Sequence, residues 1–527
     1  MDSFWKFPYP SQRMPVLARN AVATSQPLAT QAGVRMLLKG GNAVDAALAA
    51  AITLTVVEPT GNGIGSDAFA IVWDGNRLHG LNGSGRAPRA WSAERFAGLA
   101  EMPRTGWDTV TVPGAVDAWS CLSARFGKMP FAELFEPAIA YAADGFPVSP
   151  ITASRWQAAE ALYADFPEIT RTFFPAGRAP RPGEIFRCPE QAESLSAIAA
   201  SHGEAFYRGE LARRIADCAA AEGGAMRLDD LDAHRSDWVE PLSIAYRGVR
   251  LHEIPPNGQG IAALIALGLL RHFDLSRCAP DSAESLHLQI EAMKIAFDEV
   301  FRRVADIDHM PAAPVELLDD DRLAARAAAI DLATAARRRT NVPAGGGTVY
   351  LTAADASGFM VSLIQSNYLG FGSGVVVPGT GIALQNRGCG FVLAPGHPNR
   401  AAGGKRPFHT IIPGFVTRDG RALMSFGVMG AHMQPQGHVQ MMVRLFDYGQ
   451  NPQAACDAPR WHVAPDGVVA LEPGLPPATV AGLEKRGHRV VLGEPASLFG
   501  GGQLISRLPE GYLAASDPRK DGQAAGF

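Results

Sequence analysis

A chain of 527 residues with 47% hydrophobic and 19% charged residues is long enough to bury a large core and too apolar to be mostly disordered. A formal net charge of −4, with no basic stripe interleaved with aromatics, argues against a nucleic acid or an anionic membrane as partner. The six cysteines are widely scattered and form no CxxC pair, so neither a zinc ribbon nor a disulfide framework is suggested, and reduced thiols in the cytoplasm fit best.

Residues 1–20 carry Pro8, Pro10 and Pro15 and no apolar h-region, so no signal peptide is expected there. Apolar residues recur at helical spacing over 27–38, and Gly40-Gly41 stops that helix. Asn42 then caps an Ala-rich helix over 43–57, too short to span a bilayer and therefore a buried helix. After a Gly-rich turn at 61–65, residues 68–73 read as a buried strand. The segment 131–332 is expected to be mostly helical, a coat whose clearest amphipathic helix covers 282–304. Arg337-Arg338-Arg339 is the sharpest basic run and reads as a solvated linker or helix end.

The Pro- and Gly-rich linker 341–347 ends where strand alternation begins, at Thr348. A strand over 348–354, a polar turn at 355–358 and a second strand over 359–364 form a hairpin. Further strands are expected at 374–377, 411–416 and 423–426, and a stretch rich in Gly, Pro and Gln leads to a helix over 439–448. Strands among helical segments point to a layered α/β architecture.

The chemistry is first narrowed by what is missing: no HExxH, no phosphate loop and no GxSxG elbow occur. TGNGIG at 60–65 precedes a strand instead of following one, which speaks against dinucleotide binding. What remains is Gly345-Gly346-Gly347 abutting Thr348. Cutting the Gly347–Thr348 bond would give Thr348 an α-amine of reference pKa about 7.7–8.0 beside its own hydroxyl, an arrangement that activates the hydroxyl as a nucleophile. Taken alone, the junction is a weak signal and reads first as an ordinary loop-to-strand join.

The surrounding motifs decide between these. TVYLTAAD at 348–355 and FGSGVVVPGTGIALQNR at 371–387 are joined by GGNAVDAALAAAITLTVVEPTGNGIGSDAF at 40–69, VPGAVDAW at 112–119, PPNGQG at 255–260, GKRPFHTIIP at 404–413 and ASDPRKDGQAAG at 515–526. In this order, over nearly the whole chain, they resemble the γ-glutamyltranspeptidase family. The resemblance implies a four-layer αββα sandwich of the N-terminal-nucleophile hydrolase type, made as one proenzyme that cuts itself into two intertwined subunits, 1–347 and 348–527. It implies no metal or organic cofactor, and a homodimer of the processed pair is compatible with it.

Carried over position by position, the resemblance makes Gly347 and Thr348 the cleavage pair and Thr348 the nucleophile. Ser366 falls on the hydroxyl that supports it, and Gly430-Ala431 on the pair whose N–H groups form the oxyanion hole, with a structural turn as the alternative reading. The substrate positions depart from the family pattern. Ser84, in the run Ser84-Gly85-Arg86, stands where classical members place an arginine for the α-carboxylate, and Arg86 is its nearest guanidinium. Gly390 replaces the aspartate that takes the α-amino group, Arg387 replaces an amide or acidic residue, Tyr368 an asparagine, and His409-Thr410 a Ser-Ser pair. Losing a carboxylate and gaining a guanidinium reverses the preference for an ammonium group, and Arg387 can fork onto a carboxylate, unless it serves a structural salt bridge. His409 reads more readily as a hydrogen-bonded core histidine.

This pattern is similar to the branch that includes oxamate amidohydrolase. The expected function is hydrolysis of a small carboxylate-bearing amide such as oxamate through a Thr acyl-enzyme. The alternatives are a γ-glutamyl hydrolase or transferase that grips its substrate differently, and an uncleaved, inactive binding homologue.

Overall fold

Side chains of the strand that carries Thr348 alternate between two apolar layers: Val349, Leu351 and Ala353 enter one, and Tyr350 and Ala354 the other. That period-2 division places the strand in the middle of a sandwich. The computed structural model describes residues 11–336 and 347–527. Numbered in chain order, the strands of its two large sheets are β1 (Val16–Ala18), β2 (Ala21–Thr24), β3 (Asp67–Trp73), β4 (Leu78–Gly83), β5 (Asp237–Val239), β6 (Leu242–Tyr246), β7 (Val249–Glu253), β8 (Gly347–Ala354), β9 (Met360–Tyr368), β10 (Gly414–Arg418), β11 (Arg421–Met429), β12 (Gly501–Leu508), β13 (Gly511–Ser516) and β14 (Gln523–Gly526).

The first sheet runs β14-β2-β8-β9-β3-β4-β5 and the second β1-β13-β12-β11-β10-β7-β6. Neighbours in both are antiparallel. Between the sheets lie Phe69, Ile71, Tyr350, Ile364, Phe415, Met429 and Ile505. The outer face of the first sheet is covered by helices α1 (Pro27–Leu38), α2 (Ala43–Val57) and α3 (Ala115–Phe126), and that of the second by α4 (Ile261–Leu270), α5 (Ala283–Arg303) and α6 (Met433–Phe446). These are the four layers the sequence led us to expect.

Local chemistry fixes the first helices. The Asn42 side chain accepts the Val44 and Asp45 N–H groups while the Asp45 carboxylate accepts the Asn42 N–H, a reciprocal cap at the start of α2. Every residue of α2 is buried, and its many alanines let it lie close on β8 and β9.

Three expectations need correcting. The segment 131–332 is not only a helical coat, because β5, β6 and β7 within it belong to the two sheets. Each spans three to five residues, and β5 and β6 form sheet edges, too short for periodicity to separate from turn. The helix expected at 439–448 begins at Met433: Pro435 lies in the first turn, where a backbone N–H would have no intrahelical partner and its lack costs nothing, and Gly437 leaves room for Val428, whose Cγ1 would stand 2.5 Å from an added Cβ. The strand expected at 411–416 is Gly414–Arg418. The linker reading of 341–346 and the basic run 337–339 lie outside the described residues. Among those described, no helix is long and apolar enough to cross a membrane.

The two sheets approach closely at Gly427 of β11, where an added Cβ would stand 2.4 Å from the Tyr350 ring. Gly427→Val is expected to lower unfolding stability by about 1–3 kcal/mol through overpacking, measured by urea titration.

Candidate active site

The pairing of β8 with β9 shifts register between Gly347, opposite Tyr368, and Val349, opposite Gln365. Thr348 therefore sits at a β-bulge, which re-aims a side chain at the end of a strand. Its hydroxyl lies on the inter-sheet face, 2.7 Å from the Gly347 carbonyl oxygen and 3.3 Å from Ser366 Oγ. Ser366 Oγ donates to the same carbonyl at 2.6 Å and accepts the Tyr368 N–H at 2.8 Å. The carbonyl that Thr348 Oγ would attack in self-cleavage is thus polarised by a second hydroxyl. Sterics explain the glycine before the bond: an added Cβ at Gly347 would meet Thr60 O at 2.9 Å and Gly61 Cα at 3.0 Å. The Gly-rich turn at 61–65 packs its backbone against Thr348.

Ser366 is paired in register with Asp67 of β3, so Thr348, Ser366 and Asp67 form a polar row across three neighbouring strands. Asp67 is fully buried and accepts N–H groups from Gly114 at 2.9 Å, Gly85 at 3.4 Å and His409 Nε2 at 3.0 Å. Burial pushes its carboxyl up to about 7, opposed chiefly by the charge of Arg387. His409 is buried against Phe69, and burial together with the cations Arg387 and Arg406 holds its pKa well below the usual range. It is a neutral imidazole whose Nε2–H serves Asp67.

Arg387 is 1% exposed. Its Nη1 donates to Thr410 Oγ1 at 2.7 Å and its guanidinium lies 4.9 Å from the centre of the Tyr368 ring. Nε and Nη2 have no partner among the described residues. Those two nitrogens share one edge of the planar group, the edge that clasps a carboxylate through two parallel bonds. Burial lowers Arg387 to about 10, which leaves it protonated at neutral pH. Tyr368, Cys389 and Ala431 pack together beside it. Gly390 has no room for the family's aspartate, since an added Cβ would stand 2.3 Å from Phe408 O.

Gly430 and Ala431 connect β11 to α6 with φ of 118° and 50°. The left-handed conformation of Ala431 costs about 1 kcal/mol relative to glycine. Gln259 holds it in place: its Nε2 donates to Ala431 O at 2.9 Å and Thr410 O at 2.6 Å, and its Oε1 faces His432 Nδ1 at 3.0 Å. One buried amide thereby ties the Gly430-Ala431 turn to the segment that positions Arg387.

Ser84 and Arg86 are engaged elsewhere. Ser84 Oγ donates to Asn82 Oδ1 at 2.7 Å and is fully buried, and Arg86 Nη1 binds Asp306 and the Gly404 carbonyl, both at 3.0 Å. Sequence reasoning did not single out Asp67, Gln259 or Gln434, which donates toward Thr348 Oγ1 at 3.5 Å. The first two lie inside quoted motifs, and the usable signal for Asp67 was a carboxylate heading an otherwise apolar strand. Away from the site, His287, Glu291 and His488 bring ligand atoms within 4.8 Å of one another, but Lys294 Nζ sits 2.8 Å from Glu291 Oε1 and already supplies the cation there.

Two antiparallel sheets clasped between helical layers, with a threonine at the head of a central strand, define the fold of the N-terminal-nucleophile hydrolases. The Gamma-glutamyltranspeptidase family profile matches residues 29–527, and the chain belongs to that family of enzymes. It is 37% identical over 523 residues to the glutathione hydrolase-like YwrD proenzyme of Bacillus subtilis, covering 97% of this chain and 98% of that one. It is 36% identical over 524 residues to the oxamate amidohydrolase proenzyme of Klebsiella pneumoniae, covering 95% and 97%. The crystal structure of cephalosporin acylase from Bacillus halodurans superposes with a TM-score of 0.95 at 48% identity, covering 100% of this chain and 99% of that one.

The fold favours protonated Asp67 over its ordinary state, so this contribution to stability is full at low pH and is lost as pH rises through about 7. Asp67→Asn removes the titration. The stability of wild type relative to Asp67→Asn should therefore fall between pH 5 and pH 8 in urea unfolding, and an unchanged difference would refute the assignment.

Proposed function

We propose that this chain is a proenzyme that cuts itself between Gly347 and Thr348 into subunits 1–347 and 348–527, and then hydrolyses small amides carrying a carboxylate next to the scissile bond. The observation that carries the substrate class is the buried, unpartnered Nε–Nη2 edge of Arg387. Leaving a buried cation with one hydrogen bond is costly, and an incoming carboxylate removes the cost. The oxamate amidohydrolase named above acts on a substrate of this description, and the scattered free thiols favour a cytoplasmic location.

In the mechanism, Thr348 Oγ attacks the amide carbon while its proton passes to the freed α-amine, Gly430 and Ala431 N–H groups receive the oxyanion, and the protonated amine departs. Water then attacks the acyl-enzyme and returns Thr348 to its starting state. The second reading, a γ-glutamyl hydrolase or transferase, is favoured by the name of the glutathione hydrolase-like relative. It requires a group for the substrate ammonium, and Asp67 has its oxygens occupied by three N–H donors.

On a denaturing gel the wild type should run as two pieces, Thr348→Ala should stay whole, and Ser366→Ala should cleave roughly ten- to a hundredfold more slowly. Wild-type protein that stays in one piece and still hydrolyses amides would sink the mechanism.

Ammonia release across a panel should favour oxamate and similar anionic amides over glutathione. Arg387→Ala should lower kcat/KM on the best of them roughly tenfold to a few hundredfold while sparing self-cleavage. Efficient γ-glutamyl transfer that ignores Arg387→Ala would restore the second reading.

A further inference from the structure

Gln434 is fully buried in the first turn of α6. Its amide orientation is fixed, because Oε1 accepts the Ile412 N–H at 3.0 Å and this turns Nε2 toward Thr348 Oγ1, 3.5 Å away. An amide nitrogen carries two protons, and this one has that single acceptor among the described residues. The other groups around Thr348 Oγ are unlike it: Ser366 can donate or accept, Gly347 O only accepts and departs with the large subunit's new C-terminus. Gln434 is an obligate donor to this oxygen, supplied by the second sheet's helix.

We propose that Gln434 is a catalytic residue that holds the electron pair on Thr348 Oγ when this oxygen leaves the acyl-enzyme. The proposal rests on Thr348 being the nucleophile. In acylation the Oγ–carbon bond forms, the amide C–N bond breaks and the hydroxyl proton travels through the α-amine to the leaving amine. There Oγ loses charge, and a donor gives it nothing. In deacylation water adds to the acyl carbon, giving up a proton to the α-amine, and the carbon–Oγ bond breaks with its electrons going to Oγ. Negative charge develops on the atom that Nε2–H faces, where a preoriented donor in a water-excluded site is most effective. The proton on the α-ammonium then returns to Oγ.

The test uses the processed two-subunit enzyme with N-(4-nitrophenyl)oxamate as probe, which has a carboxylate beside its amide and no amine. Gln434→Leu should lower kcat on the order of a hundredfold, lower KM with it, and leave kcat/KM within a few-fold, because the defect follows acylation. Quenched samples should show an oxalyl adduct on the 348–527 subunit that maps to Thr348. Gln434→Glu keeps an acceptor for Ile412 and loses the donor when ionised, so its kcat should recover as pH falls and the carboxyl gains a proton, a signature packing alone does not give. An adduct on Thr348 of equal level in wild type and Gln434→Leu, a fall in kcat/KM without adduct, or a Gln434→Glu variant with the wild-type pH profile overturns the proposal. An adduct that maps to another residue overturns the nucleophile reading instead.

Discussion

The antiparallel pairing of β8 with β9 is the constraint on which the rest of the molecule hangs. It sets Thr348 beside Ser366, hands one side of both strands to α2 and the other to the second sheet, and it is stitched there by buried hydroxyls. Tyr350 OH meets Ser362 Oγ at 2.8 Å and Thr352 Oγ1 meets Ser425 Oγ at 2.6 Å. Burying such groups is tolerable only when each has its partner, so these contacts also specify the register. Residues 1–347 and 348–527 interleave around the pair: β8 lies between β2 and β9, and β14 closes the sheet on the other side of β2. The Lys520–Glu58 ion pair, 2.9 Å apart and buried at both ends, joins the same two segments. A cut at Gly347 would therefore release a chain end without releasing a subunit.

Much of this was legible in the sequence wherever the determinant is local. Helices α1 and α2 have the limits that their apolar spacing, the Gly40-Gly41 stop and the Asn42 cap suggest. Strand β8 was legible from alternation, yet which face turned to which layer was not, because both faces are buried. Strands β5 to β7 were lost in a helical stretch because strands of three to five residues are too short to show a period. At the site, the motif resemblance supplied Thr348, Ser366 and Gly430-Ala431 as candidates. Asp67 was missed for a different reason. Its partner His409 is 342 residues away in sequence, and nothing in either local stretch announces the other.

The charges in the site follow one logic. A buried guanidinium with a single hydrogen bond cannot be justified as a stabilising contact, since burial of a charge is repaid only by good partners. Asp67 helps as an attractive charge, but its own oxygens are committed to Gly114, Gly85 and His409, so it steadies Arg387 without filling the Nε–Nη2 edge. His409 completes the device by being neutral. A protonated imidazole against Asp67 would cancel the carboxylate and repel the cations, and burial, to which Phe69 packed on its ring contributes, acts together with the charges of Arg387 and Arg406 to keep it neutral. Gly390, three residues on from Arg387, cannot supply a carboxylate from within the protein, because an added Cβ would stand 2.3 Å from the Phe408 carbonyl oxygen. The fold thus leaves a buried cation with two unpartnered nitrogens, and the proposed carboxylate-bearing substrate class rests on that unmet demand.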